Sequence, residues 1–438
     1  MQYIPNILFA ILLIIGIGFF MKNIKKLIRN IKLGKSVDRT DNSNLRLKNM
    51  INIALGQSKM VRRPIAGILH ITVYVGFIII NIEVLEIIID GLFGTHRVLS
   101  FLGGFYGFLI SSFEVLALLV LLSVIIFWIR RMILRIPRFW NKEMKGFPKN
   151  DALYILYFEM ILMVLFLVMN ATDSSFQQAN SGNLISQFIA PWFKNLNPDL
   201  LHGIERVAWW LHIIGILIFL NYLYYSKHLH ILLAFPNTYY ANLNPLGKFN
   251  NLQSVTEEVK MMLDPNADPF ANPPENTDET ENDTMPEKFG AEDIFDLNWV
   301  QLMNAYTCTE CGRCTSVCPA NITGKELSPR AIMMKTRDRV EEVGKNIDKN
   351  GKFENDGKSL FDYISHEELW ACTTCNACVA ECPVDIDPLS IIMSMRQYLV
   401  MEKSAASQEL NMMMTNIENN AAPWQYNQLD RLNWKDEN

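Results

Sequence analysis

The sequence predicts a mostly α-helical protein: a five-helix transmembrane bundle followed by a smaller helical domain. Three observations carry that expectation. Long apolar runs crowd roughly the first 235 of 438 residues. The remainder is polar, with proline-opened helix starts, and its eight cysteines form a single repeat. Half the residues are hydrophobic and only 19% are charged, a mixture foreign to one soluble domain. The net charge of −5 gives no support for a nucleic-acid partner.

Apolar segments at Ile4–Met21, Pro64–Ile89, Phe101–Ile129, Ala152–Asn170 and Gly203–Tyr225 each approach or exceed the ~20 residues that span a bilayer. Ile4–Met21 lacks a basic start and is followed by lysines, not a cleavage site, so it is read as a retained first span. Lysines and arginines crowd the first connection (Lys22 to Arg63) and the third (Arg130 to Lys149). The second and fourth hold only Arg97 and Lys194 between them. Because positive loops stay inside, the amino terminus is expected outside a cytoplasmic (inner) membrane and the carboxyl-terminal domain in the cytoplasm.

Residues 1–240 are thus read as the membrane domain, 241–290 as an acidic, proline-rich linker too polar to fold alone, and 291–438 as the cytoplasmic domain. Within the last, Ser328-Pro329 and Asp387-Pro388 pair an N-cap with a first-turn proline. They predict helices over Pro329–Val343 and Pro388–Met401.

The repeat reads Cys308-Thr-Glu-Cys311-Gly-Arg-Cys314-Thr-Ser-Val-Cys318-Pro319 and Cys372-Thr-Thr-Cys375-Asn-Ala-Cys378-Val-Ala-Glu-Cys382-Pro383. In this C-x2-C-x2-C-x3-C-P run, three close thiolates wrap one [4Fe–4S] cubane and the fourth reaches the other. Cys308, Cys311, Cys314 and Cys382 are therefore assigned to one cluster, and Cys372, Cys375, Cys378 and Cys318 to a second. Small residues such as Gly312 and Ala377 are expected to let the backbone approach the sulfides. Disulfides are disfavoured in a reducing cytoplasm, and zinc sites usually pair two C-x2-C units at longer separation. The result is a ferredoxin-like helical domain that carries electrons.

Histidines inside the spans suggest a haem. His70 lies about 10 Å in from Arg63 at 1.5 Å per residue. By depth it matches His228 or His230 at the end of the fifth span, and such facing imidazoles are usual axial ligands of a b-type haem. His212 lies deeper, and the residue that would pair with it across the bundle is Ile80, so an outer haem site looks incomplete. His96 and His202 read as ordinary polar groups near the outer surface. Glu83, Glu86, Glu114, Glu159 and Glu205 are carboxylates in or at the rims of spans, where charge is costly. Of these, Glu83 and Glu114, with His212, are candidates for the hydrogen bonds and proton route of a quinone; pairing with Arg206 or an interfacial position is the plain alternative for some of them.

The stretch Phe289-Gly290-Ala-Glu-Asp-Ile-Phe, the first cysteine run through Pro319-Ala-Asn-Ile-Thr-Gly-Lys-Glu-Leu-Ser-Pro329-Arg330, and Glu368-Leu-Trp-Ala-Cys-Thr-Thr-Cys together resemble heterodisulfide-reductase-related membrane iron–sulfur oxidoreductases, in particular the electron transfer flavoprotein:quinone oxidoreductase type. The membrane half is similar to the five-helix cytochrome b (gamma) subunit of respiratory nitrate reductase, in which the place of Ser226-Lys227-His228-Leu229-His230 holds a haem ligand. The resemblance implies an oxidoreductase subunit passing electrons from electron transfer flavoprotein, or another soluble redox protein, to a membrane quinone. Full-length members continue into cysteine-rich CCG domains; without a ninth cysteine here, that module is expected to be absent or supplied by a partner subunit. The same wiring run backwards would serve a heterodisulfide- or sulfite-reductase-like enzyme drawing on quinol. A membrane iron–sulfur accessory protein for assembly or metal reduction would need neither haem nor quinone.

Overall fold

The computed structural model of the protein describes residues 3–179, 181–248, 251–265, 288–425 and 427–436. Among the described residues five helices are long and apolar enough to cross a membrane: α1 (Ile4–Ile31), α2 (Pro64–Phe93), α3 (Gly104–Met132), α4 (Phe147–Thr172) and α5 (Pro198–Tyr222). Four of them open with proline in the first turn, where its missing N–H has no helical partner to lose. Their outward faces expose Ile7, Ile14, Ile68, Phe108 and Val207, as suits a lipid surround. Inside, Phe9, Ile80, Ile110, Phe113, Phe166 and Ile213 form the bundle core. At Gly76 a Cβ would sit 2.4 Å from Val120 Cγ2, so glycine there is what lets α2 close on α3.

The first helix is ten residues longer than its apolar run. Ile24, Leu27 and Ile31 keep the apolar stripe going past Lys22, and Leu27 is buried in the core of the other half of the chain. There Asn30 donates to Tyr306 Oη at 2.9 Å, and Lys26 and Arg29 each reach Asp348 at 2.5 Å. α1 thus leaves the bundle as a mast against which the cysteine domain is built.

After α5 a short turn leads into α6 (His230–Tyr239). The cysteine domain is organised by α7 (Trp299–Thr307), α8 (Pro329–Asn350) and α9 (Pro388–Gln397), around Leu302, Ile332, Val340, Leu360, Ile391 and Met395. Both expected N-caps are formed: Ser328 Oγ accepts from the Ala331 N–H at 3.4 Å, and the Asp387 carboxylate from the Ser390 N–H at 3.0 Å. α8 runs on to Asn350 because its apolar stripe continues through Val343 and Ile347. α9 stops as an α-helix at Gln397 and widens into a π turn over Tyr398–Glu402. No strand occurs among the described residues, only an isolated bridge between Lys35 and Asn298.

Of the segment read as linker, Gln253–Leu263 is helical, and residues 266–287, its most acidic and proline-rich part, lie outside the described residues. The two halves meet over a broad polar seam. Lys59 pairs with Asp385 at 2.5 Å and Arg63 with Glu381 at 2.8 Å, and Arg313 donates to the Lys59 carbonyl at 3.2 Å.

Candidate functional site

The eight cysteines fall into two environments. Cys308, Cys311, Cys314 and Cys382 line one cavity, together with Cys378, Arg313, Arg330, Met333 and Ile386. Cys318 lies within electrostatic reach of Cys372 and Cys378, and Cys375 is exposed. Each run therefore sends its fourth cysteine towards the other three-cysteine loop.

Local backbone explains how. In both runs the residue two past the first cysteine, Glu310 or Thr374, adopts a left-handed conformation (φ 54° and 55°). So does the residue after the second cysteine, Gly312 or Asn376 (φ 71° and 58°). These paired reversals curl the loop around the space its thiols share. The counterpart of Gly312 in the second run is Asn376, and the shared requirement is a left-handed turn, which glycine and asparagine tolerate best. The donor set fits an iron–sulfur cubane, because backbone N–H groups already point at sulfur: Ile386 donates to Cys382 Sγ at 3.3 Å and Thr374 to Cys372 Sγ at 3.5 Å.

The first cavity abuts the membrane half. Glu310 is 4% exposed and accepts from Arg337 at 2.6 Å and from Lys227 Nζ. Burial alone would raise its carboxyl, but Arg337 and Lys227 outweigh that and hold it below the usual range. Lys227 also donates to the Pro148 carbonyl at 2.5 Å, and its backbone N–H to Asp151 at 3.0 Å. This connection was not visible in the sequence, where Lys227 and Glu310 stand 83 positions apart.

Lys227 opens the turn that carries the histidines. The His230 Nδ1 lies 3.1 Å from the Lys227 carbonyl, which as a donor leaves Nε2 free to ligate. Its ring centroid is 6.3 Å from that of His70. Facing at that distance, His70 and His230 are the two imidazoles that could hold one haem between them. His228 turns aside, edge-on to His230 at 5.5 Å, with its Nε2 3.7 Å from Glu159. His212 rests against Phe166 at 6.0 Å with its Nδ1 buried and unpartnered, and Ile80 is buried in the apolar core. His96 contacts Asp173 at 3.2 Å, and the exposed His202 lies 3.5 Å from Glu205.

Of the candidate carboxylates, Glu83, Glu86 and Glu205 are brought to one cavity and Glu114 is not. Glu83 lines a cavity of about 310 Å³ at the end of the bundle away from the cysteines, with Glu86, Asp90, Arg97, Asp173 and Trp209; its Oε2 is buried without a partner. Glu114 lies off that cavity, joined to its Arg97 through Asn170, and is fully engaged: it accepts from Asn170 at 3.1 Å and from the N–H groups of Ile185 and Ser186 at 2.7 and 3.0 Å, tying down the loop before α5. Glu205 is held by Arg206, as the plain reading allowed, and Glu86 accepts from the Leu99 N–H at 2.9 Å and Tyr106 at 3.1 Å.

Fold and site together define a membrane-associated iron–sulfur protein. Residues 307–386 match the 4Fe-4S dicluster domain. Over 98% of its length the chain is similar to two curated proteins. One is the probable iron-sulfur-binding oxidoreductase FadF of Bacillus subtilis, 28% identical over 61% of that protein. The other is the EtfAB:quinone oxidoreductase of Syntrophomonas wolfei, 24% identical over 59% of that protein. A third of the chain, 34%, is 28% identical to 37% of one of the polypeptides of the dihydromethanophenazine:CoB–CoM heterodisulfide reductase of Methanosarcina mazei. These relatives are of the type the sequence resembles, and the chain spans about three fifths of the length of the first two. No solved structure matches it.

Proposed function

We propose that the chain is the electron-transfer subunit of a membrane oxidoreductase, connecting a soluble redox protein to the quinone pool through two [4Fe–4S] clusters and one haem b. The observation that carries this reading is the seam: Glu310, inside the first cysteine loop, is ion-paired to Lys227, three residues from His230, whose ring faces His70. Cys308, Cys311, Cys314 and Cys382 hold one cluster, and Cys372, Cys375, Cys378 and Cys318 the other. His70 and His230 hold the haem, with His228 beside them. When bound, these groups supply successive one-electron carriers from the exposed cysteines to the bundle interior. Among the quinone candidates Glu83 has the strongest support, since its free oxygen borders a cavity, while Glu114 is spent on its loop and His212 lies off that cavity. The basic connections support a cytoplasmic-membrane orientation with the amino terminus outside and the cysteine domain in the cytoplasm. The soluble partner, by similarity, is electron transfer flavoprotein or a protein of its kind, reached through a CCG-domain iron–sulfur module on this or another polypeptide.

The test is a dithionite-reduced minus oxidised spectrum of the purified protein with pyridine haemochrome and iron measured together. About one haem with a b-type α-band beside about eight irons is expected, with the haem lost in both H70A and H230A and kept in H228A. Cluster iron without haem would remove the haem step and favour the accessory-protein reading.

A further inference from the structure

The walls of the two cysteine sites differ in charge. Beside the first, three guanidiniums are held by carboxylates: Arg330, wholly buried, by Glu143 at 2.6 Å, Arg63 by Glu381 at 2.8 Å, and Arg337 by Glu310 at 2.6 Å. Two others are not. Arg313, 3% exposed and lining the cavity, donates to the Lys59 and Met60 carbonyls at 3.2 and 3.3 Å and to Met60 Sδ at 2.8 Å. Arg138 places its Cβ 3.4 Å from where a Gly312 Cβ would be, and its Nε is buried without an acceptor. Neither makes an ion pair among the described residues. At the second site Arg396 donates to the Leu369 and Cys372 carbonyls, each at 2.5 Å from Nη2. It is opposed by Asp387, whose carboxylate stands near enough to Cys378 to disfavour negative charge there. Cys375 at that site is open to water.

Reducing a thiolate-ligated cubane adds negative charge. Burial opposes that, but two guanidiniums without carboxylate partners, Arg313 buried and Arg138 half-buried, favour it. At the second site the Asp387 carboxylate, which Arg39 also faces, offsets part of the guanidinium charge, and the exposed Cys375 admits water that screens it. We propose that Arg138 and Arg313 make the Cys308 site the higher in potential, so that electrons run from the water-exposed Cys372 site to the Cys308 site and on to the membrane seam. In that step the Cys372 site is oxidised by one electron and the Cys308 site reduced by it; no bond or proton moves. The ordering rests on the two-cluster reading above and adds a direction to it.

An EPR-monitored redox titration of the whole purified protein tests it, run with and without an aqueous paramagnetic relaxation agent. In the unaltered protein the signal that appears at higher potential is expected to be the one the agent leaves unchanged, because its site is enclosed. R138Q and R313Q are each expected to lower that potential by the equivalent of about tenfold in the equilibrium constant, about 59 mV for one electron, while R396Q moves only the other signal. If the agent broadens the higher-potential signal, the ordering is overturned, whatever the variants do; if R138Q and R313Q retain both clusters and leave the potential unmoved, the role of the two arginines falls. A protein with fewer than two clusters would instead sink the conduit reading itself.

Discussion

The two cysteine runs share spacing, backbone reversals and a closing proline, yet they face opposite surroundings. The first is walled in: Cys308 is 7% exposed, Glu310 and Arg313 are buried, and its loop leans on α8 and the bundle. The second has no buried residue from Trp370 to Glu381 and includes an exposed Cys375. The difference teaches that spacing selects the cofactor while the neighbours of the spacer residues select its place in a chain of carriers. At the same repeat position, Glu310 reaches across the seam and Thr374 meets no charge partner among the described residues.

The hardest test of that contrast is to remove one cysteine from each run. C311A and C375A should each lower iron from about eight to about four per chain. C311A should also loosen the seam more than C375A, read as faster proteolysis between the membrane and cysteine halves, because Glu310 and Arg313 in its loop meet the bundle directly, whereas the second run meets it at Glu381 and Asp385, away from Cys375. Equal protease sensitivity in the two variants would erase the distinction.

A smaller effect is expected at the spacer itself. E310Q leaves Lys227 and Arg337 facing a neutral amide in a buried site, and breaking a buried pair from one side typically costs about 3–5 kcal/mol. The lower figure is expected here because Asp151, 3.8 Å from Lys227 Nζ, offers a second carboxylate. T374S, at the equivalent position, should cost under about 0.5 kcal/mol, as surface changes usually do. The denaturant concentration at which cluster absorbance bleaches measures both. A shift in T374S as large as that in E310Q would show that the loops, not the seam, set the loss.

How much of this was legible beforehand follows from which interactions are local. The five spans, both helix caps and the cysteine repeat are written in runs of neighbouring residues, and they could be read directly. The depth argument placed His70 level with the turn at residues 228–230 because helical rise is regular, but that the ring facing His70 at 6.3 Å is His230 depends on the turn around Lys227. Glu83, Glu114 and His212 looked alike as polar groups in apolar helices; only loop closure reveals that Glu114 is consumed by the N–H groups of Ile185 and Ser186. The seam was invisible for the same reason. Lys227 and Glu310 are 83 positions apart, and no periodicity links them.

The finest distinction lies at Gly312 and Asn376, which share a left-handed turn but differ in free space. A Cβ on Gly312 would come 2.5 Å from Arg330 Nη1, a guanidinium wholly buried and bonded to Glu143 and the Arg138 carbonyl, so it has nowhere to retreat. Asn376 already carries a side chain in the same conformation, with its Nδ2 3.4 Å from the Thr374 carbonyl. G312A is therefore expected to cost about 1–3 kcal/mol from conformation and crowding together. N376G should fall within about 1 kcal/mol of the unaltered protein, since glycine suits the turn but loosens the unfolded chain. Bleaching of the two sites, followed separately by EPR, should show the G312A loss confined to the enclosed one. Were G312A and N376G to weaken their sites equally, the contrast between an enclosed and an open cluster loop would not extend to the backbone, and the arginine wall alone would distinguish them.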